Sequence, residues 1–202
     1  MTWVGRVPFT LVFIGIMVLA NLGAGTLAGE LPAGALARWG LSHQTVAEGE
    51  FTRLLSATFL SHDVGMFLRQ LVFAATVIGY FEWHHATLRT VTTFFAIDIV
   101  GTVIVLFAVV PLAAAVSHPE ARATLDVGMS AGGFGLIGAI LAGWRHSFLL
   151  LLAVLGAIAA KVAVRPDLIA DSAHAICLLI GFAVQLIVAG QTRFRGRKEN
   201  VP

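Results

Sequence analysis

The chain has 202 residues, of which 58% are hydrophobic and 12% are charged, and its net charge is +2. Soluble domains carry about 25% charged residues, so this composition excludes an ordinary soluble domain and favours a protein embedded in a lipid bilayer. The small net charge gives no reason to expect a nucleic-acid partner. Cys177 is the single cysteine, which excludes an internal disulfide and a metal site built from several cysteines.

Six mostly apolar stretches predict an all-α polytopic membrane protein. Each is long enough, or nearly so, to cross a hydrocarbon core of about 30 Å. The first stretch exceeds the usual signal-peptide core of about 7–15 residues, which favours a retained membrane helix over a cleaved signal. We expect a single membrane domain over 1–202, with helices at about 9–28, 64–81, 90–116, 127–144, 147–164 and 170–190 and a basic tail at 191–202.

The longest connection, residues 30–63, lies between the first two predicted helices. It contains Pro32, Trp39 and Phe51. Connections of this length usually have a function or a structure of their own. Its aromatic residues suit a segment that lies at the membrane interface.

The positions of the cations predict the orientation. An even number of spans leaves both termini on one side, and cytoplasmic segments are enriched in lysine and arginine. We therefore expect both termini to be cytoplasmic, in a plasma or inner membrane. The cations on that side are Arg6, Arg89, Arg145, Arg193, Arg195, Arg197 and Lys198.

Two polar residues, Ser130 and His174, lie at matching depths in the fourth and sixth predicted helices. Ser130 is three residues, and His174 four residues, past the start of its helix. At 1.5 Å per residue both are about 5 Å inside the outer boundary. A nucleophile and its base must come within about 2.6–3.2 Å of each other, and equal depth is a requirement for that contact.

Small residues beside this pair favour close approach of the two helices in lipid. Taken alone, a serine among glycines or a single membrane histidine is more often a packing or hydrogen-bonding residue. Matched depth together with two small faces makes the pair a candidate nucleophile and base. The faces consist of Gly128, Gly132 and Gly135 on one helix and Ala173, Cys177 and Gly181 on the other.

The motif Gly128-Met129-Ser130-Ala131, followed by Phe134 and Gly138, resembles the Gly-x-Ser-Gly nucleophile motif of rhomboid intramembrane proteases. Ala173-His174 followed by Gly181 resembles the base helix of that family. The stretch from Arg53 through Phe59-Leu60-Ser61-His62 and Gln70 to Gly79 and Glu82 resembles the family's second-helix pattern without a gap. The resemblance implies a six-helix bundle with a Ser–His dyad and no metal or cofactor. It also implies a transmembrane protein as substrate, cleaved in or near its membrane segment.

The resemblance also assigns roles to other residues. Gln70 stands where the family has an asparagine that donates to the oxyanion, and His62 is expected to contribute in part. The ring of Phe134 would support His174. Arg53 resembles the arginine of the family's Trp-Arg motif, and we expect structural roles for Arg53 and Glu82.

The motifs depart from the family pattern at four positions. Ala131 replaces the glycine that follows the nucleophile, and Cys177 replaces another glycine. Thr52 replaces the tryptophan before Arg53. Met66 replaces a second oxyanion-side histidine and cannot donate a hydrogen bond. Because loss of one oxyanion donor costs about 10²–10³ in rate, the departures predict a weak or divergent protease.

The remaining ionisable residues are expected to be structural. Arg69 and Asp98 lie at similar depths on neighbouring helices, which predicts an ion pair because an unpaired charge there is costly. Lys161, near the end of the fifth helix, is expected to extend to the interface. His84 and His85 are adjacent and would point apart on a helix, which favours a solvated turn over a metal site.

Two other functions remain open from the sequence. One is a non-catalytic rhomboid-like protein that binds transmembrane helices. The other is a small transporter that uses Asp98, Arg69 and His174. The transporter is less favoured because such proteins often contain repeats and bind near the midplane, whereas this chain has no clear repeat and its Ser/His pair lies near one face.

Overall fold

The computed structural model describes the backbone of residues 3–198 and the side chains of residues 5–190. Within this range the chain forms helices, turns and two isolated β-bridges, but no strand. The all-α prediction is therefore confirmed for the described part of the chain. The side chains of the predicted basic tail, 191–202, lie outside it.

Helices of this range are labelled in chain order, and several differ at their ends from the predicted bounds. They are α1 Pro8–Ala24, α2 Ala33–Trp39, α3 His43–Ala47, α4 Arg53–Ser56, α5 Val64–His84, α6 Thr87–Val116, α7 Ser130–Ala142, α8 Ser147–Val164 and α9 Leu168–Lys198.

Four helices in the described part of the chain are long and apolar enough to cross a membrane: α5, α6, α8 and the Leu168–Gly190 part of α9. Helices α1 and α7 are apolar but shorter, with 17 and 13 residues. A length of 13 residues corresponds to about 20 Å, less than the hydrocarbon core. By length and composition, the described part of the chain thus has four helices that could span a membrane, as a membrane protein requires.

Glycine conformations explain two differences from the predicted helix bounds. Helix α7 begins at Ser130 rather than near residue 127, because Gly128 has φ 135°, which is incompatible with a helix. Helix α1 ends at Ala24 rather than near residue 28, because Gly25 is left-handed and its N–H bonds back to Asn21. Ser130 is consequently the first residue of its helix.

Helix α6 continues past Pro111 by way of a π-helical turn at Val105–Val109. Proline lacks an N–H and its ring clashes with the carbonyl four residues earlier in a regular α-helix. The wider π-helical turn directly before the proline is one known way for a helix to absorb such a defect.

The long connection 30–63 has its own structure, as expected, and folds into α2, α3 and α4. Arg53 fixes this segment: its Nη1 donates to the carbonyls of Ala37 and Gly40, each at 2.7 Å, and its Nε contacts Glu50. These bonds satisfy carbonyls at the end of α2. The contacts agree with a structural role for Arg53.

Glu82 joins the end of α5 to the start of α1. Its buried carboxylate accepts bonds from the backbone N–H groups of Phe9 and Thr10 at 2.9 and 2.8 Å. It also accepts from the hydroxyls of Thr10 and Thr87 at 2.8 Å each. The first N–H groups of a helix have no acceptor inside it, so Glu82 supplies one for α1. Its contacts agree with the structural role expected.

Helix α7 lies in the core between α9 and α6, with most of its residues buried. The backbones of α7 and α9 touch: a Cβ on Gly138 would collide with the carbonyl of Leu178, and a Cβ on Gly181 with the carbonyl of Gly135. The close approach expected between these helices is present and depends on glycine.

The predicted opposition of two small faces is met at Gly135 and Gly181, whose backbones touch, but it is wrong for Gly132. A Cβ on Gly132 would meet Phe94 at 2.8 Å, so this position faces α6, and a Cβ on Gly135 would also point to α6, where it would meet Ile97. Cys177 also faces α6, where it fills the space beside Gly101.

The predicted Arg69–Asp98 ion pair is wrong. Asp98 is buried and accepts bonds from the N–H of Gly132 at 2.8 Å and the hydroxyl of Thr58 at 3.1 Å. Arg69 is exposed and forms no ion pair with any side chain of residues 5–190. The two residues were predicted to lie at similar depths, but Asp98 bonds to the start of α7 whereas Arg69 is exposed and lines a cavity with Ser130.

Candidate active site

The side chains of Ser130 and His174 are in hydrogen-bond contact. Nε2 of His174 lies 2.8 Å from Oγ of Ser130. The serine is the first residue of α7 and the histidine is in the second turn of α9. When the imidazole carries its proton on Nδ1, Nε2 accepts the hydroxyl hydrogen. This is the geometry that a base needs to activate a serine.

Phe134 supports the imidazole from one side. Its ring is stacked on that of His174, with centroids 4.2 Å apart and an interplanar angle of 19°. Phe134 follows Ser130 by four residues, which places both on the same face of α7. Phe73 of α5 packs on Phe134 at 5.9 Å. The stack limits the directions in which Nε2 can point.

Carboxylates do not orient this histidine. Among the described side chains, no Asp or Glu oxygen lies within ion-pair distance of His174. Asp171, one turn earlier on α9, is occupied by Lys161 Nζ at 2.7 Å and the N–H of Asp167 at 2.8 Å. Lys161, expected only to reach the interface, thus joins α8 to α9. The pair Ser130–His174 is a dyad.

Gln70 provides a hydrogen-bond donor with no partner. The side chain is buried, and its Oε1 accepts a bond from the Ser61 hydroxyl at 2.6 Å. Its Nε2 is the one buried side-chain N or O atom without a partner among the described residues. A Cβ on Gly128 would lie 2.7 Å from this nitrogen, so the amide faces the backbone that leads to Ser130. Glycine at this position leaves room for the amide.

The start of α7 is anchored by Asp98. The first N–H groups of a helix have no acceptor within it and lie at the positive end of its dipole. Asp98 accepts from the N–H of Gly132, two residues after Ser130, and is itself held by Thr58. This bond fixes the end of the helix that presents the serine hydroxyl.

His62 lies in the same cavity as the dyad, but it has another partner. Its Nε2 is 3.1 Å from Oδ1 of Asp126, and that oxygen also accepts the N–H of Val127 at 2.9 Å. The hydrogen bond to Asp126 raises the pKa of His62, although partial burial opposes the shift. With Nε2 engaged in this way, Gln70 is left as the side-chain donor nearest the Gly128 backbone.

One cavity of about 360 Å³, the dyad cavity, contains all these groups; it is lined by His62, Met66, Gln70, Ser130, Phe134 and His174, among others. Arg69, Asp126, Lys161 and Asp167 add charged groups to its wall. A second, apolar cavity of about 530 Å³ lies between α7, α8 and α9 and also reaches Phe134 and His174. His174 therefore borders both a cavity that carries charged groups in its wall and an apolar one.

Sequence reasoning missed the residues behind Gln70. Ser61 and Asn21 are fully buried, and Asn21 accepts the N–H of Ser61 at 2.9 Å. The one sequence signal for Asn21 was that it is a polar residue near the end of the apolar helix α1.

A serine hydroxyl, an imidazole in contact with it and an unpartnered amide line one cavity, and groups of these types are the ones that acyl transfer requires. No protein-family model matches the sequence, and no curated protein matches it either. The functional interpretation rests on this geometry and on the motifs in the sequence.

Proposed function

We propose that the chain is a rhomboid-type intramembrane serine endopeptidase that hydrolyses peptide bonds in or near the transmembrane segments of other proteins. The observation that carries the proposal is the 2.8 Å contact between His174 Nε2 and Ser130 Oγ. It is supported by the unpartnered amide of Gln70 in the same cavity.

In the proposed reaction Oγ of Ser130 attacks the carbonyl carbon while His174 Nε2 takes the hydroxyl proton. The carbonyl oxygen becomes an oxyanion, which accepts a hydrogen bond from Gln70 Nε2 and is stabilised by the positive end of α7. His174 then returns the proton to the leaving amine as the C–N bond breaks. A water molecule, activated by His174, hydrolyses the acyl-enzyme.

The proposed arrangement in the bilayer has six inserted helices in one domain, with both termini cytoplasmic. Helix α1, at 17 residues, is at the lower limit for a span. Helix α7 is enclosed by protein, so its short length leaves no backbone exposed to lipid. A reporter fused after Pro202 should be active in its cytoplasmic form; efficient export would contradict this arrangement.

The second candidate is a non-catalytic protein of the same fold that binds transmembrane helices. It is favoured by the small number of oxyanion donors: Met66 cannot donate, and the ring nitrogen Nε2 of His62 is bonded to Asp126. The apolar cavity beside α8 suits an apolar helix under either function. The transporter has less support, because Asp98 bonds to the start of α7 and not to Arg69.

Cleavage by the reconstituted protein tests the proposal. The wild type should cleave a model transmembrane substrate, and Ser130→Ala and His174→Ala should each abolish cleavage. The double variant should be hardly worse than either single one, because residues that act as a unit are strongly non-additive. Ser172→Ala is the matched control, since Ser172 is on α9 but outside the dyad cavity. Folded wild type that cleaves none of several substrates would favour the non-catalytic candidate.

A further inference from the structure

The side-chain amide of Gln70 has two possible orientations with opposite consequences for an oxyanion. A glutamine amide presents an acceptor oxygen on one side and a donor NH₂ on the other. Oε1 contacts the Ser61 hydroxyl at 2.6 Å, and Nε2 is the atom that faces Gly128. Rotation by 180° would instead turn the oxygen towards the position of the oxyanion and repel it.

We propose that Ser61 is a positioning residue that holds the Gln70 amide with its N–H directed at the oxyanion, and that Asn21 of α1 holds Ser61 in place. The inference rests on the proposed protease function. It assigns a role in the reaction to two residues that do not touch the dyad.

The hydrogen bonds of Asn21 have a direction that the backbone dictates. Its Oδ1 accepts the N–H of Ser61 at 2.9 Å, and its Nδ2 donates to the carbonyls of Met17 at 2.8 Å and Phe59 at 2.9 Å. A backbone N–H can only donate and a carbonyl can only accept, so this arrangement has one assignment. The Phe59 carbonyl and the Ser61 N–H are thereby both bonded to Asn21 of α1.

The Ser61 hydroxyl then selects between the two orientations of Gln70. Among the described residues its Oγ has Gln70 as its hydrogen-bond partner and no other. In the observed orientation the hydroxyl hydrogen and the amide oxygen satisfy each other. In the rotated one the amide N–H would donate to Ser61 Oγ, but the hydroxyl hydrogen and the amide oxygen would both lose their partner, which is costly.

The observed orientation leaves one buried group unsatisfied, Nε2 of Gln70. Buried polar groups are nearly always paired, so this exception needs a reason. An oxyanion formed at Ser130 supplies the missing acceptor, and it does so in the transition state rather than before it. An interaction made only in the transition state raises kcat and leaves KM unchanged.

A double-mutant cycle on cleavage tests the inference. Ser61→Ala should lower kcat about tenfold with little change in KM, since it removes one buried hydrogen bond that orients the donor. Gln70→Ala should lower kcat on the order of 10²-fold. Ser61→Ala should have no further effect in the Gln70→Ala protein, because Ser61 acts through Gln70 alone.

Two more variants control for folding. Ser42 is also a fully buried serine, and it caps α3 far along the chain from Gln70. Ser42→Ala should change kcat by the same small factor in the wild-type and Gln70→Ala backgrounds. Ser61→Cys is nearly isosteric and keeps a weak donor, so it should fold and give a kcat between those of wild type and Ser61→Ala.

The outcomes separate the two claims. If wild type shows no cleavage that depends on Ser130, the proposed function fails and the inference falls with it. If cleavage depends on Ser130 but Ser61→Ala and Ser61→Cys match wild type, the inference alone is overturned. The inference is also overturned if Ser61→Ala lowers kcat more than Gln70→Ala does, or if it lowers kcat by the same factor in the wild-type and Gln70→Ala backgrounds.

Discussion

The imidazole of His174 lies nearly flat against the ring of Phe134, with centroids 4.2 Å apart. The contact predicts that Phe134 restricts the histidine to orientations in which Nε2 faces Ser130. Phe134→Leu should lower kcat about tenfold, because an aromatic pair contributes about 0.5–1.5 kcal/mol beyond its buried area. Phe134→Tyr keeps the ring and should retain most activity if it folds. Equal kcat for wild type and the leucine variant would show that the stack does not matter.

Asp98 should stabilise the fold through α7 rather than through Arg69. Asp98→Ala leaves the Gly132 N–H without its acceptor, which should lower the free energy of unfolding by about 1–3 kcal/mol, whereas the Thr58 hydroxyl keeps the Leu54 carbonyl as an acceptor at 3.1 Å. Asp98→Asn should lower the free energy of unfolding by less, because the amide oxygen of asparagine can still accept one bond. Unfolding in detergent measures both.

Arg69→Gln is the matched control for this prediction, because Arg69 is exposed. It should be nearly neutral, and its effect should add to that of Asp98→Asn. Strong coupling between the two positions would instead support an Arg69–Asp98 ion pair and would contradict the contacts that the structure gives to Asp98.

The His62–Asp126 contact should make stability depend on pH. Asp126 raises the pKa of His62 above 6.5, chiefly through their hydrogen bond, so the protonated histidine is favoured in the folded state. The stabilisation is therefore complete below pH 6.5 and is lost as pH rises through the folded pKa. The stability difference between wild type and Asp126→Asn should shrink over that range. A histidine titration by NMR should show the His62 pKa falling in Asp126→Asn, and an unchanged pKa would contradict the assignment.

Gly181 should be essential for bringing the dyad together. A Cβ there would collide with the carbonyl of Gly135, so Gly181→Ala should push α9 away from α7 and separate His174 from Ser130. Overpacking of this kind costs about 1–3 kcal/mol. We expect a lower melting temperature and loss of cleavage. Gly190→Ala, on the same helix with nothing within 4 Å, should behave as wild type; equal behaviour of the two variants would refute the contact.

The proximity of Ser130 and His174 was predictable because depth along a helix can be counted from the sequence at 1.5 Å per residue. The partner of Asp98 was not predictable in this way, because depth does not give the direction in which a residue faces around the helix axis. The start of α7 depends on the φ angle of Gly128, which composition does not specify. The bond between Asn21 and Ser61 joins residues 40 positions apart and arises only when α1 packs against the segment that precedes α5.

The central claim is that His174 makes Ser130 a nucleophile. A serine hydroxyl is weak at neutral pH without an adjacent base, and the base here is 2.8 Å away. Fluorophosphonate labelling of the purified protein, followed by peptide mapping, reads out this activation without any need to know the substrate. We expect the label on Ser130 in wild type and in Ser172→Ala, and no label in folded His174→Ala. Labelling of Ser130 that persists without His174, or folded wild type that takes up no label, would contradict the assignment of the dyad.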